Sequence, residues 1–296
     1  MSSFVWLVVA GLLGLVMPAS QIFDLSSDHF YTTLTLHGAA LTFPFSFQLM
    51  MGVGLHRSGG CVGKAITGWL PALTWLTMNL GAAILTVAVL MGLKVSVIVM
   101  FPLPLVGAQM GVWSMESVIV GFTGIYLVLA CMILCYPLLV LKMMIFGKKR
   151  QELVLSARSL NEPGMLGMLL AAAALLLTGL PLVVVGTTLV LALYKVIPMS
   201  LAAWAADPVV FQYTFYLFAH NLMEAMALMV ASAMYATLPL YLADGSRKLY
   251  SEKLANLALW ILLVTSVTSG LHHFITFYPN QPAALSYWGN IMSWGT

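Results

Sequence analysis

His220 and Glu224 stand four apart in FYLFAHNLMEAMAL, His272 and His273 are adjacent in TSGLHHFITF, and His37 lies in YTTLTLHGAALTF. These ionisable groups sit inside apolar runs, where a charge is expensive and calls for a functional explanation. Residues at i and i+4 project from one face of a helix, as two ligands of one metal do. Adjacent histidines diverge by about 100° on a regular helix, so His272 and His273 reach one ion together only where the helix ends or distorts. Gly270 before them and Pro279 after them permit that. Three imidazoles with a neighbouring carboxylate suit iron, copper or zinc, and the hard carboxylate oxygen tilts the choice toward iron over copper. Glu116 opens a further apolar run.

Each residue also has an ordinary packing explanation. A single histidine in a membrane helix often hydrogen-bonds two helices together, and a lone glutamate is often a neutral acid on a backbone carbonyl. Gly38, beside His37, serves close helix packing. Met223, Met226, Met229 and Met234 read as lipid-facing or core-filling side chains. Cys131 and Cys135 read as small packing residues, and with Cys61 they form neither a zinc set nor a disulfide framework. Packing alone accounts poorly for five ionisable groups at one depth on three helices.

The elements that must position these groups follow from composition. The chain has 296 residues, 61% hydrophobic and 7% charged, with mean hydropathy +1.00. Soluble domains carry roughly 25% charged residues, so a water-soluble globule is excluded. The apolar runs are continuous and do not alternate with period two, which excludes a closed β-barrel. Apolar stretches divided by polar or Pro/Gly breaks predict spans at about 4–19, 30–55, 66–92, 112–145, 165–193, 208–242 and 254–276, with a stub from Ala283 to Trp294. The expected fold is all-α: a polytopic membrane protein of about seven transmembrane helices plus a C-terminal stub, one transmembrane domain over 1–296. Val5–Met17 lacks the basic flank of a signal peptide and reads as a helix.

Charge sets the expected orientation. Loops after the second, fourth and sixth spans hold Arg57, Lys64, Lys142, Lys148, Lys149, Arg150, Arg158, Arg247, Lys248 and Lys253, and the other side holds only Lys94 and Lys195. This asymmetry puts the N-terminus inside. His37 then lies about 10 Å, and His220 about 18 Å, from the outer face, with His272 and His273 at the outward exit of the seventh span. The net charge of +3 belongs to these loops, and without a basic patch interleaved with aromatics no nucleic-acid partner is expected.

At these residues the sequence resembles the catalytic subunit of haem-copper oxidases and the related nitric oxide reductases, over nearly the whole chain. FYTTLTLHG is similar to the start of that family's second helix, which makes His37 an axial ligand of the low-spin haem. YTFYLFAHNLMEAMALMVASAMYATLP is similar to the sixth helix, where His220 would ligate the non-haem metal. TSGLHHFITFYPNQP is similar to the end of the seventh, where His272 and His273 complete its imidazoles. Short spans and loops look closest to the B-type branch and the nitric oxide reductases.

Within the family, the position four after the helix-six histidine discriminates between chemistries. Most oxygen reductases place a tyrosine there, and C-type enzymes place one six residues before the histidine pair. Here those positions are Glu224 and Ser266. Nitric oxide reductases carry a glutamate near or on a non-haem iron, so the resemblance implies reduction of two NO to N2O. Glu224 would be an iron ligand or proton donor, and Glu116 a candidate relay without motif support.

The family's remaining haem ligands form an H-x-H pair on its tenth helix, and no H-x-H occurs in this sequence. The expectation is one half of a split core, sharing b-type haem with a second membrane chain that carries H-x-H. A truncated product and a paralogue without haem chemistry are the alternatives. An electron-donor subunit (cytochrome c, copper protein or quinol) and a bacterial or archaeal cytoplasmic membrane are implied. Two other functions are weighed: an oxygen-reducing subunit, and a non-enzymatic metal-binding or assembly subunit using His220, His272 and His273. A transporter fits less well, because the ionisable groups lie off the midplane and no broken-helix pair stands out.

Overall fold

The structure, a computed structural model, describes residues 1–23, 27–61, 67–93, 113–145, 162–242 and 249–269. Among these residues every regular element is helical. In chain order they are α1 (Ser2–Ile22), α2 (Ser27–Ala40), a π turn (Leu41–Phe47), α3 (Gln48–Cys61), α4 (Trp69–Leu90) and α5 (Met115–Leu129). A second π turn (Ala130–Cys135), α6 (Tyr136–Ile145), α7 (Pro163–Leu193), α8 (Met199–Ala202), α9 (Pro208–Thr237), a 3-10 turn (Leu238–Tyr241) and α10 (Glu252–Ser269) follow. Ser2–Ile22, His29–Arg57, Trp69–Leu90, Met115–Met143, Pro163–Leu193 and Val209–Tyr241 are long and apolar enough to cross a membrane. The seventh expected span is described only as far as Ser269, and the expected stub lies outside the described residues.

Both π turns have a local cause. Pro44 inside the first has no N–H to donate, and its ring crowds the preceding turn, so the chain widens. The Gln48 N–H accordingly reaches back five residues to the Phe43 carbonyl. The second π turn runs into Pro137, one residue into α6. The hydropathy pattern carries no trace of either, because a π turn leaves it unchanged.

The helices gather into two compact units. The first comprises Met1–Leu49, Ala72–Met132 and Leu189–Pro208. Here α1 packs on α2 and on the first π turn. The Trp6 indole N–H donates to Asn79 Oδ1 at 2.9 Å, and Trp75 donates to Ser2 Oγ at 2.9 Å, tying α1 to α4. The α4 and α5 backbones touch at glycines: a Cβ on Gly124 would stand 2.7 Å from the Leu85 nitrogen and 2.8 Å from the Gly81 oxygen. Small residues permit this approach, where dispersion replaces the hydrophobic drive that lipid removes. α4 ends on Gly92 at φ +107, with Leu93 N bonded to Ala88 O and Gly92 N to Val89 O, the doubly bonded left-handed cap. α7 ends with the same bonding but with Lys195 at φ 58.

The second unit comprises Met50–Pro71, Ile133–Thr188 and Val209–Thr296. Tyr136 is fully buried and donates its hydroxyl to the Met168 carbonyl at 2.8 Å, joining α6 to α7. α7 meets α9 at Gly167, where a Cβ would lie 2.9 Å from Ser232 Cβ and 3.0 Å from the Leu228 oxygen. Ser232 donates to the Gly164 carbonyl beside it. Leu177, Leu180 and Val184 remain exposed on α7, as lipid-facing residues do.

Candidate functional site

His37 lies ten residues into α2, which starts earlier than the sequence pattern predicts and so carries it about 15 Å along the helix. It is half-buried, and its Nδ1 stands 2.8 Å from the Ala10 carbonyl oxygen of α1. A carbonyl oxygen only accepts, so Nδ1 is the donor here, and in the neutral tautomer that makes this bond the lone pair is on Nε2. The close packing expected at Gly38 is absent: among the described residues a Cβ there would meet nothing within 4 Å. The close approach is at Gly14 instead, where a Cβ would lie 3.0 Å from His37 Cε1.

His220 and Glu224 share one face of α9, with Nε2 and Oε1 3.8 Å apart and side chains 18% and 24% exposed. Two metal bonds of about 2.1 Å at a tetrahedral angle place their donor atoms about 3.4 Å apart, so a small adjustment brings both onto one ion. His272 and His273 lie outside the described residues. Among the described residues no group of three or more His, Cys, Asp or Glu is assembled around one point.

Next to His220, Asn221 is completely buried. Its Nδ2 donates to the Leu217 carbonyl at 2.7 Å, and its Oδ1 accepts from Ser266 Oγ at 2.8 Å. Ser266 is 1% exposed, so a buried polar bond pins α9 to α10 beside the candidate metal ligand. In the sequence Ser266 stands out only as a tyrosine position without its phenol; a lone asparagine in an apolar run beside a histidine was the available signal for the bond.

Glu116 is exposed in the first turn of α5, after Ser114, whose hydroxyl accepts from the Ser117 N–H at 3.1 Å. A carboxylate there meets the positive end of the helix dipole, which explains its place locally. Glu116 and His37 belong to the first unit, His220 and Glu224 to the second. His29 and His56 are exposed near helix ends. Met223 and Met234 face outward while Met226 and Met229 fill the core. Cys131 and Cys135 are buried thiols, the former donating to the Thr74 carbonyl at 3.3 Å.

The family model described as cytochrome c and quinol oxidase polypeptide I matches residues 1–295. The chain belongs to this family. No curated protein and no solved structure matches it. Members of the cytochrome c and quinol oxidase polypeptide I family are respiratory oxidoreductases embedded in the membrane, and they bind haem with copper or non-haem iron. The donors described above fit such groups: His37 offers Nε2 with its other nitrogen already bonded, and His220 with Glu224 offers an imidazole and a carboxylate on one face.

Proposed function

We propose that this chain is a nitric-oxide-reductase-like subunit, converting two NO, two electrons and two protons to N2O and water. The observation that carries this reading is the His220–Glu224 pair, a carboxylate 3.8 Å from the histidine at the position where oxygen-reducing relatives hold a tyrosine. Cleaving an O–O bond demands an extra electron and proton at once, which a phenol supplies. Coupling two NO demands no such cleavage. The alternative tyrosine position is also without a phenol, since Ser266 is a buried hydroxyl bonded to Asn221.

In this reading His37 would hold a b-type haem, and His220, His272, His273 and Glu224 would hold a non-haem iron, with copper as the other candidate. Haem and metal, when bound, would relay the donor's electrons and bind NO. The chain's own residues hold the ion through imidazole nitrogens and keep a ligand oxygen or a proton on the Glu224 carboxyl beside it. Apolar helix walls exclude bulk water, and Glu116, exposed at the start of α5, passes protons inward from the outer face.

The sequence holds no H-x-H pair, so the other haem ligands come from outside these 296 residues, in our reading from a second membrane chain. Electrons arrive from a cytochrome c, copper-protein or quinol donor subunit. The chain spans the cytoplasmic membrane of a bacterium or archaeon with its N-terminus on the inner side and the metal site toward the outer face. Purified with its neighbours, the complex is expected to show haem b absorbance, a co-purifying chain with H-x-H on an apolar helix, and NO-dependent N2O formation. Metal without haem in every preparation refutes the proposal in favour of a metal-binding subunit. Oxygen uptake without N2O assigns the oxygen-reducing branch instead.

A further inference from the structure

We propose that Gly14 and the Ala10 carbonyl of α1 are the positioning element for His37, setting which imidazole nitrogen is offered as a ligand and in which direction. The inference deepens the preceding reading and takes from it only that His37 binds haem iron; the hydrogen-bonded arrangement stands on geometry alone.

His37 on α2 reaches α1 with Nδ1 2.8 Å from the Ala10 oxygen. Within a regular helix that carbonyl also accepts from the residue four ahead, Gly14. One carbonyl has two lone pairs and serves both donors only if its second side stays uncovered. Gly14 leaves it uncovered. A Cβ there would stand 3.0 Å from His37 Cε1 and 3.2 Å from Nδ1, so the ring lies against the missing side chain. Ala10 itself is 0% exposed, so no water competes with the ring for the bond. With Nδ1 held as a donor, Nε2 is the nitrogen whose lone pair a neutral ring can offer, and the tether fixes the plane of the ring.

A methyl group at Gly14 requires the ring to retreat by a few tenths of an ångström while its Nδ1 is tethered. The hydrogen bond therefore lengthens and weakens, or the ring turns out of its orientation. Gly11, on the same helix, has nothing among the described residues within 4 Å of an added Cβ. Gly11→Ala changes the backbone in the same way without touching the ring and is the matched control.

The test uses the full chain in detergent with 15N-labelled histidine, alongside Gly14→Ala, Gly11→Ala and His37→Ala. The resonances missing in His37→Ala identify His37. Wild type and Gly11→Ala are expected to show a single Nδ1-protonated tautomer, and Gly14→Ala a shifted or mixed one. Unchanged nitrogen shifts in Gly14→Ala overturn the proposal whether or not haem binds. The second arm titrates each protein with haemin, free imidazole supplying the opposite ligand, and reads the low-spin spectrum. Gly14→Ala is expected to raise half-saturation by about 10–100-fold, the usual effect of losing a partner that orients a metal ligand, with Gly11→Ala within about twofold of wild type. A wild-type low-spin spectrum in His37→Ala overturns the ligand reading and the haem half of the proposal, while the nitrogen shifts still judge the hydrogen bond. Equal haemin affinity of wild type and Gly14→Ala, with no low-spin spectrum in His37→Ala, overturns the positioning role alone.

Discussion

Replacing Ser266 with alanine removes the hydroxyl that donates to Asn221 Oδ1 at 2.8 Å. Asn221 is 0% and Ser266 1% exposed, so neither water nor lipid offers a substitute donor. Orphaning a buried acceptor costs about 1–3 kcal/mol in soluble proteins, whereas hydrogen bonds between membrane helices average about 0.6 kcal/mol and reach about 1.7. Complete burial of both partners puts this bond near the top of the membrane range, so Ser266→Ala is expected to cost about 1.5 kcal/mol. Ser266→Ala combined with Asn221→Leu removes the stranded acceptor, and about 1 kcal/mol of the loss is expected back as coupling between the two sites. The assay is reversible unfolding in mixed micelles of dodecyl sulfate and a mild detergent, followed by tryptophan fluorescence for the wild type, both single variants and the double. A coupling indistinguishable from zero, or Ser266→Ala within about 0.5 kcal/mol of wild type, refutes the reasoning that this bond holds α9 to α10.

Gly124→Val is expected to destabilise by about 3 kcal/mol or more, since its Cβ would meet backbone at 2.7 and 2.8 Å that no rotamer change relieves. Gly38→Ala, in open space, is the neutral counterpart, and thermal melting in detergent compares the two. Lys195 holds φ 58 at the end of α7, so Lys195→Gly is expected to raise stability by about 1 kcal/mol, read as a higher melting temperature. Glu224→Gln keeps the shape of the side chain but gives up carboxylate ligation and proton transfer. It is expected to lower NO turnover of the complex by about 10²–10⁴-fold while the haem spectrum persists; turnover within about tenfold of wild type removes Glu224 from the chemistry.

Much of the fold was legible from hydropathy because the bilayer imposes a length and a polarity on each span, and both are local properties of the chain. The helices at 69–90 and 163–193 follow the predicted spans 66–92 and 165–193 within a few residues. The π turns around Pro44 and before Pro137 were not legible, since they add a residue to a turn without altering composition. The His220–Glu224 pairing was visible in the i, i+4 spacing, because a single helix sets that geometry. Gly14 is not legible in the sequence, for its significance lies entirely in a ring on another helix.

By itself the sequence established a membrane-embedded helical chain with histidines and a carboxylate inside apolar spans, because lipid makes every buried charge costly and therefore conspicuous. Only the tertiary structure decided which nitrogen of His37 faces the Ala10 carbonyl, that Gly14 rather than Gly38 is the close contact, and that Asn221 and Ser266 bond to each other. Those facts depend on where two helices cross, and crossing points are set by the shapes of both surfaces together. A hydropathy pattern, summed one residue at a time, carries no information about them.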